Sequence, residues 1–151
     1  MNAAHSKVRR HYDEVADIYD SRYDRNRGRL YYSRLSENVL ELLPKGKHLL
    51  DLGCGTGLFI QHYGKYGGAA TGLDLSPGMI HKARSRCRMG QFAVGNAEIL
   101  PFRDESFDAL SSLLAFSYLK EPESMIKEAY RVLKPGRSEE HTSELQSPNT
   151  I

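Results

Sequence analysis

Tryptophan is absent from this 151-residue chain, cysteine occurs twice and charge of neither sign dominates. No apolar run approaches the roughly 20 residues that a membrane-crossing helix needs, which excludes a helical membrane span. Two cysteines, Cys54 and Cys87, exclude a disulfide framework of the secreted type and read as free thiols. His5, His11, His48, His62 and His81 share no metal-ligand spacing with each other or with the cysteines. A net charge of +2 makes no electrostatic case for nucleic acid. The first residues, Met1 to Lys7, are not followed by the apolar core of a signal peptide, so a cytoplasmic address is expected. With 40% hydrophobic and 26% charged residues, the chain has the composition of one globular domain.

What is present is concentrated in one passage, Leu49-Leu50-Asp51-Leu52-Gly53-Cys54-Gly55-Thr56-Gly57. An apolar run ends at Asp51 and passes into three glycines at alternate positions, followed by the helix-compatible stretch Leu58 to Tyr63. Strand, glycine turn and helix start let a backbone approach a ligand without Cβ atoms in the way. A dinucleotide turn wants Gly-x-Gly-x-x-Gly, or alanine at the last place. Here the third glycine, Gly57, comes one residue early, and Leu58 stands where a small residue is required. The loop therefore fits a pyrophosphate poorly.

Strand and helix patterns alternate along the chain. Val8, Tyr12, Val15 and Tyr19 recur at helical spacing, and Leu35, Val39 and Leu42–Leu43 lie on a second helical stretch ending at Pro44. Asp20 to Arg29, charged and glycine-containing, reads as a mobile connection between them. His48 to Leu52, Ala69 to Asp74, Gln91 to Val94 and Phe107 to Leu114 read as strands. Ser76-Pro77 is an N-cap with proline at the first helical position, and Glu121-Pro122 opens a further helix. This alternation predicts an α/β fold of parallel βαβ units.

The glycine turn resembles the first motif of the class I S-adenosylmethionine-dependent methyltransferases, in which it wraps the methionine end of the cofactor. Two further passages resemble the family: Gly95-Asn96-Ala97-Glu98-Ile99-Leu100-Pro101-Phe102, and Phe107 to Gly136. The resemblance runs from about Leu49 to Gly136 and implies a Rossmann-like doubly wound sheet with about four of roughly seven strands present. It implies S-adenosyl-L-methionine as cofactor and a small-molecule methyl acceptor, while the charge balance and the absence of a long apolar run lead to the expectation of no nucleic-acid or membrane partner.

The resemblance also assigns residues. Asp51, Gly53, Cys54, Gly55 and Gly57 form the turn. Asp74, seventeen residues after Gly57, would accept both ribose hydroxyls, with Leu75 beside it. A solvated strand-end aspartate is the alternative. Asn96 stands where the family typically has aspartate; its amide carbonyl would take the adenine amino group and the Ala97 N–H a ring nitrogen, unless Asn96 is an ordinary loop residue. Ser111 and Ser112 would stand at the end of the fourth strand, beside the turn, where a main-chain carbonyl can meet the cofactor's ammonium, their side chains being structural. Tyr12 and Tyr19 either touch the sulfonium, since an aromatic face suits a cation, or pack an amphipathic helix on the sheet. No catalytic residue is implied, because a general base is needed only if the acceptor must lose a proton. Three functions remain open: methyltransferase, inert fragment or cofactor-binding module, and nucleotide-dependent oxidoreductase.

Three segments are expected: a helical lid over 1–46, a partial methyltransferase core over 47–136, and a foreign tail over 137–151. Arg137 to Ser147 is polar, has neither helical nor strand period, and resembles the translation of a common sequencing adapter. The expectation is that the natural product continues differently after Gly136. Without that tail's one basic and three acidic residues the net charge rises from +2 to +4, still no nucleic-acid signature.

Overall fold

The structure is a computed structural model that describes residues 3–21, 26–113, 115 and 119–135. His48–Leu52 (β1), Ala69–Asp74 (β2), Gln91–Val94 (β3) and Ala109–Ser111 (β4) are strands. Ala3–Val15 (α1), Asn26–Leu42 (α2), Leu58–Gly64 (α3), Pro77–Arg86 (α4) and Pro122–Val132 (α5) are helices. The strands form one parallel sheet in the order β3-β2-β1-β4. β1 lies inside it, Leu50 pairing with Thr71 of β2 on one side and Leu110 of β4 on the other.

Successive strand side chains point to opposite faces, and β1 uses both. Leu49 packs with Leu40 of α2, Phe59, Ile60 and Tyr63 of α3, and Ile80 of α4. Leu50 and Leu52 pack the other face with Leu73, Leu100, Phe107, and Met125 and Val132 of α5. Helices on both faces of a parallel sheet are the doubly wound arrangement that the alternating sequence predicts. Such a sheet brings its strand carboxyl ends to one edge, where ligands bind.

The boundaries of β1, β2 and β3 match the sequence reading, and Ser76 caps α4, accepting from the Met79 N–H at 3.1 Å. β4 is shorter than the stretch 107–114. Phe107 is instead held by the end of α5: its N–H donates to Val132 O at 3.0 Å, and Lys134 N–H donates to Phe107 O at 3.0 Å. α2 begins at Asn26, inside the segment read as a connection. A single glycine, Gly28, costs a helix only about 1 kcal/mol, and the arginines and leucine around it are good helix formers. Tyr19 lies beyond the end of α1, in turns closed by Ile18 N–H to Val15 O and Ser21 N–H to Ile18 O. The foreign-tail reading of 137–151 lies outside the described residues, as does Leu114. Among the described residues, no helix is long and apolar enough to cross a membrane.

Candidate functional site

The glycine turn continues the β1–β2 ladder. Gly53 N–H and Cys54 N–H both donate to Leu73 O, at 2.8 and 3.0 Å. Gly53, Gly55 and Gly57 then adopt φ of +70°, +53° and +79°, the left-handed region that suits glycine. A Cβ on Gly53 would lie 2.3 Å from Ala115 Cβ, so this glycine admits the chain that follows β4. A Cβ on Gly57 would lie 3.1 Å from Ala83 Cβ of α4, so this one admits a helix and caps α3. A Cβ on Gly55 would meet nothing nearer than Tyr19 Cε1, at 4.0 Å, so this glycine faces open space.

Asp74 closes β2 at the same edge. Its Oδ2 accepts from Gly55 N–H and its Oδ1 from Ser76 N–H, each at 2.9 Å. Burial pushes this carboxyl up, the Ser76 and Gly55 N–H groups pull it down, and the Asp13 charge adds to the net rise. Asp51, on β1, is fully buried and accepts from Ser111 Oγ at 2.7 Å. Its carboxyl is pushed up to about 7, chiefly by burial and further by Asp74, against the pull of the Ser111 hydroxyl. Burial also pushes the Cys54 thiol well up, with the Asp51 and Asp74 charges adding to it, which keeps it protonated and unreactive.

A cleft of about 810 Å³, open to solvent, lies over this edge. Gly53, Gly55, Asp74 and Leu75 line it from the turn and β2, and Asn96, Ala97 and Ser112 from the ends of β3 and β4. His5, Val8, Tyr12 and Tyr19 line it from the N-terminal arm. A second cavity of about 380 Å³ is bordered by Asp51, Cys54, Thr56 and Tyr32. Tyr19, Gly53, Gly55 and Leu113 border both. The structure thus gathers the sequence-predicted residues around two adjoining spaces, with two exceptions: Ser111, whose hydroxyl donates to Asp51, and Gly57. Gly57 borders neither and is engaged with α4. Asn96 has a fixed amide: its Oδ1 accepts from Glu98 N–H at 3.0 Å, and its Nδ2 lies 3.5 Å from Glu98 Oε2.

The arm is pinned across the cleft by polar pairs. Asp13 Oδ1 accepts from Ser76 Oγ at 2.5 Å and Gly78 N–H at 3.0 Å, at the start of α4. Lys82 Nζ lies 2.6 Å from Asp17 Oδ1, and the Lys82 ammonium holds that carboxyl below its usual range. Arg86 pairs with Asp20, and Thr56 Oγ1 donates to Asp20 Oδ1 at 2.6 Å. At the far end His5 Nε2 lies 3.2 Å from Glu98 Oε2. Burial pushes the Glu98 carboxyl up, but the Glu121 and Lys120 N–H groups, Asn96 and His5 together hold it below its usual range.

Several lining residues carry no signal of their own in the sequence. His5, Tyr32, Met79 and Leu119 belong to helices and connections that face the cleft only once the chain has folded. Thr56 lies within the glycine motif, and its place there was the available clue. Among the described residues no His, Cys, Asp and Glu cluster can hold a metal ion.

Comparison with known proteins addresses the same passage. The family model of the methyltransferase domain matches residues 50–137. The demethylmenaquinone methyltransferase of Tropheryma whipplei (strain Twist) is 33% identical over 141 residues, covering 87% of this chain and 56% of its own. The malonyl-(acyl-carrier protein) O-methyltransferase of Serratia marcescens is 37% identical over 91 residues, covering 60% of this chain and 36% of its own. Among solved structures, the (4+2)-cyclase SpnF superposes with a TM-score of 0.79 at 28% identity, over 90% of this chain and 58% of that one. The chain spans 36% and 56% of the lengths of these two curated relatives. The family match begins within β1, ends just past α5 and takes in the glycine turn, Asp74 and Asn96, and it makes this chain a member of the class I S-adenosylmethionine-dependent methyltransferases.

Proposed function

We propose that the whole protein transfers a methyl group from S-adenosylmethionine to a small-molecule acceptor in the cytoplasm, and that residues 1–46 act as the lid of the cofactor site. The observation that carries this reading is the space over Gly55: a left-handed glycine on which a Cβ would meet nothing nearer than Tyr19, its N–H donating to the half-buried Asp74 carboxylate. A backbone cradle next to an acceptor-only group suits a ribose whose hydroxyls donate. Each Asp74 oxygen already accepts one N–H and keeps lone pairs for a hydroxyl. Asn96 Oδ1 likewise keeps a second lone pair for an adenine amino group, with Ala97 N–H beside it and Leu75 against the ring.

The methionine end would run along Gly53 and Gly55 toward the smaller cavity, where Asp51 offers a buried counter-charge to its ammonium. When bound, the cofactor supplies a methyl carbon already activated by the sulfonium charge, so the protein's task is alignment and exclusion of water. Tyr12 and Tyr19 would close over that carbon from the arm. No residue is assigned as a general base. Both curated relatives support a methyl acceptor: one is named for demethylmenaquinone, the other for a malonyl group on acyl-carrier protein.

The structural likeness to a cyclase shows that this fold also serves other chemistry, so binding and transfer need separate tests. Incubation with methyl-labelled S-adenosylmethionine and a low-mass metabolite extract should leave label in a low-mass product. Cofactor binding without any transferred label would sink the transferase reading and leave a binding module.

A further inference from the structure

Glu98 belongs to the motif beginning at Gly95, yet it borders neither cavity and the proposed function leaves it without a task. It is a buried carboxylate, 8% exposed, and such a group is costly unless fully partnered. Its partners come from three separate segments. Oε1 accepts from the N–H groups of Lys120, at 2.8 Å, and Glu121, at 3.0 Å, where α5 begins. Oε2 faces His5 Nε2 at 3.2 Å, near the start of α1, and Asn96 Nδ2 at 3.5 Å. Its own N–H donates to Asn96 Oδ1 at 3.0 Å. His5, Asn96 and Leu119, next to Lys120, all line the large cleft, so one carboxylate stands behind three pieces of its wall.

We propose that Glu98 is a positioning residue: its carboxylate holds the Asn96 amide with the carbonyl free to accept from the amino group of an adenine ring, and couples that loop to the starts of α1 and α5. The reasoning is one of donors and acceptors. A carboxylate only accepts, so the Asn96 NH₂ turns toward it and the carbonyl oxygen is left to the backbone N–H and the ligand. An amide in place of Glu98 can both donate and accept. Its NH₂ set against the Asn96 NH₂ places two donors face to face, and with only the Glu98 backbone N–H left to hold it the Asn96 amide is no longer fixed with its carbonyl toward the cleft. A negative charge at the start of α5 is also favoured by that helix's dipole, which ties the orientation to the charge as well as to the shape.

This inference rests on the cleft being the cofactor site, and the test separates the two. Calorimetry would compare S-adenosylhomocysteine with S-inosylhomocysteine, which carries an oxo group where adenine has its amino group, on wild type and Glu98→Gln. Wild type should prefer the adenine compound by about tenfold or more, the range for a buried hydrogen bond. In Glu98→Gln that preference should fall to about threefold or less. A variant that weakens both compounds by the same factor, or neither, overturns the positioning role. Wild type binding neither compound overturns the cofactor reading itself. Amide hydrogen exchange on the wild-type chain needs no variant: S-adenosylhomocysteine should slow exchange at Lys120 and Glu121 together with Ala97 and Glu98. Slowing confined to the 95–98 loop contradicts the coupling.

Discussion

The two walls of the cleft are held by different forces. The sheet wall is backbone and apolar packing: left-handed glycines, a ladder running on into the turn, and fully buried leucines on both faces of β1. The arm wall is polar pairing: the ion pairs of Asp17 with Lys82 and Asp20 with Arg86, and the hydrogen-bonded pairs of Asp13 with Ser76 and His5 with Glu98. Burying a leucine contributes about 2 kcal/mol, whereas a solvent-accessible ion pair contributes about 0–1 kcal/mol and is weakened by salt. If residues 1–46 are the lid of the proposed site, the arm is the wall that opens to admit a ligand, being held by the weaker interactions.

The comparison can be broken most severely at Gly53. Gly53→Val must place a branched side chain at φ +70° and 2.3 Å from Ala115, and it should abolish S-adenosylmethionine binding, a loss of about a hundredfold or more. Retained affinity would show that the turn is not the cradle. Leu50→Ala should cost about 2–5 kcal/mol of folding stability, read from denaturant unfolding, because the site is closed on all sides. A cost under 1 kcal/mol would mean the sheet wall is not what holds the fold.

Asp51 sharpens the electrostatic side. Its folded pKa, about 7, lies above its ordinary 3.8, so the folded state takes up a proton as pH falls through that window. The sign follows: relative to the unfolded chain, Asp51 costs no stability below about pH 4, a growing amount toward pH 7 and a constant amount above it. Asp51→Asn should therefore stabilise the protein above pH 7, with the gain shrinking toward pH 4. A cationic ligand favours the carboxylate, so affinity for S-adenosylmethionine should rise about tenfold from pH 6 toward 8 in wild type and stay flat in Asp51→Asn. A flat wild-type profile would remove Asp51 from the ligand's surroundings.

The smallest effect is expected at the latch. Arg86→Met should weaken S-adenosylmethionine binding by about fivefold with little change in thermal stability. Wild-type affinity should fall with added salt more steeply than that of the variant. Equal salt dependence would mean the arm is not held by charge.

The same contrast explains how much was legible in the sequence. The sheet wall is written locally: β1, β2 and β3 announce themselves in apolar runs, and Ser76-Pro77 in its cap chemistry. Asp74 could be placed at the cleft edge from the sequence because its distance from the turn is set by one βαβ unit. The arm wall is written in pairs far apart, Asp13 with Ser76 across 63 positions and Asp20 with Arg86 across 66, and no period in the chain points to them. β4 shortened because the end of α5 takes the backbone groups of Phe107, a tertiary competition the strand pattern does not contain. Gly57 completes the spacing but borders neither cavity, and a Cβ on it would meet Ala83 of α4, a tertiary contact the spacing does not show. Glu98 was hidden because half of its partners are backbone N–H groups, which every sequence has, and His5 lies far away in the chain.

The central claim is that this turn selects S-adenosylmethionine over a dinucleotide. Calorimetric titration of the 151-residue chain with S-adenosylmethionine and, separately, with NADH tests it directly. The account predicts one-to-one binding of S-adenosylmethionine and no heat of binding from NADH. Binding of NADH, or of neither compound, would contradict it.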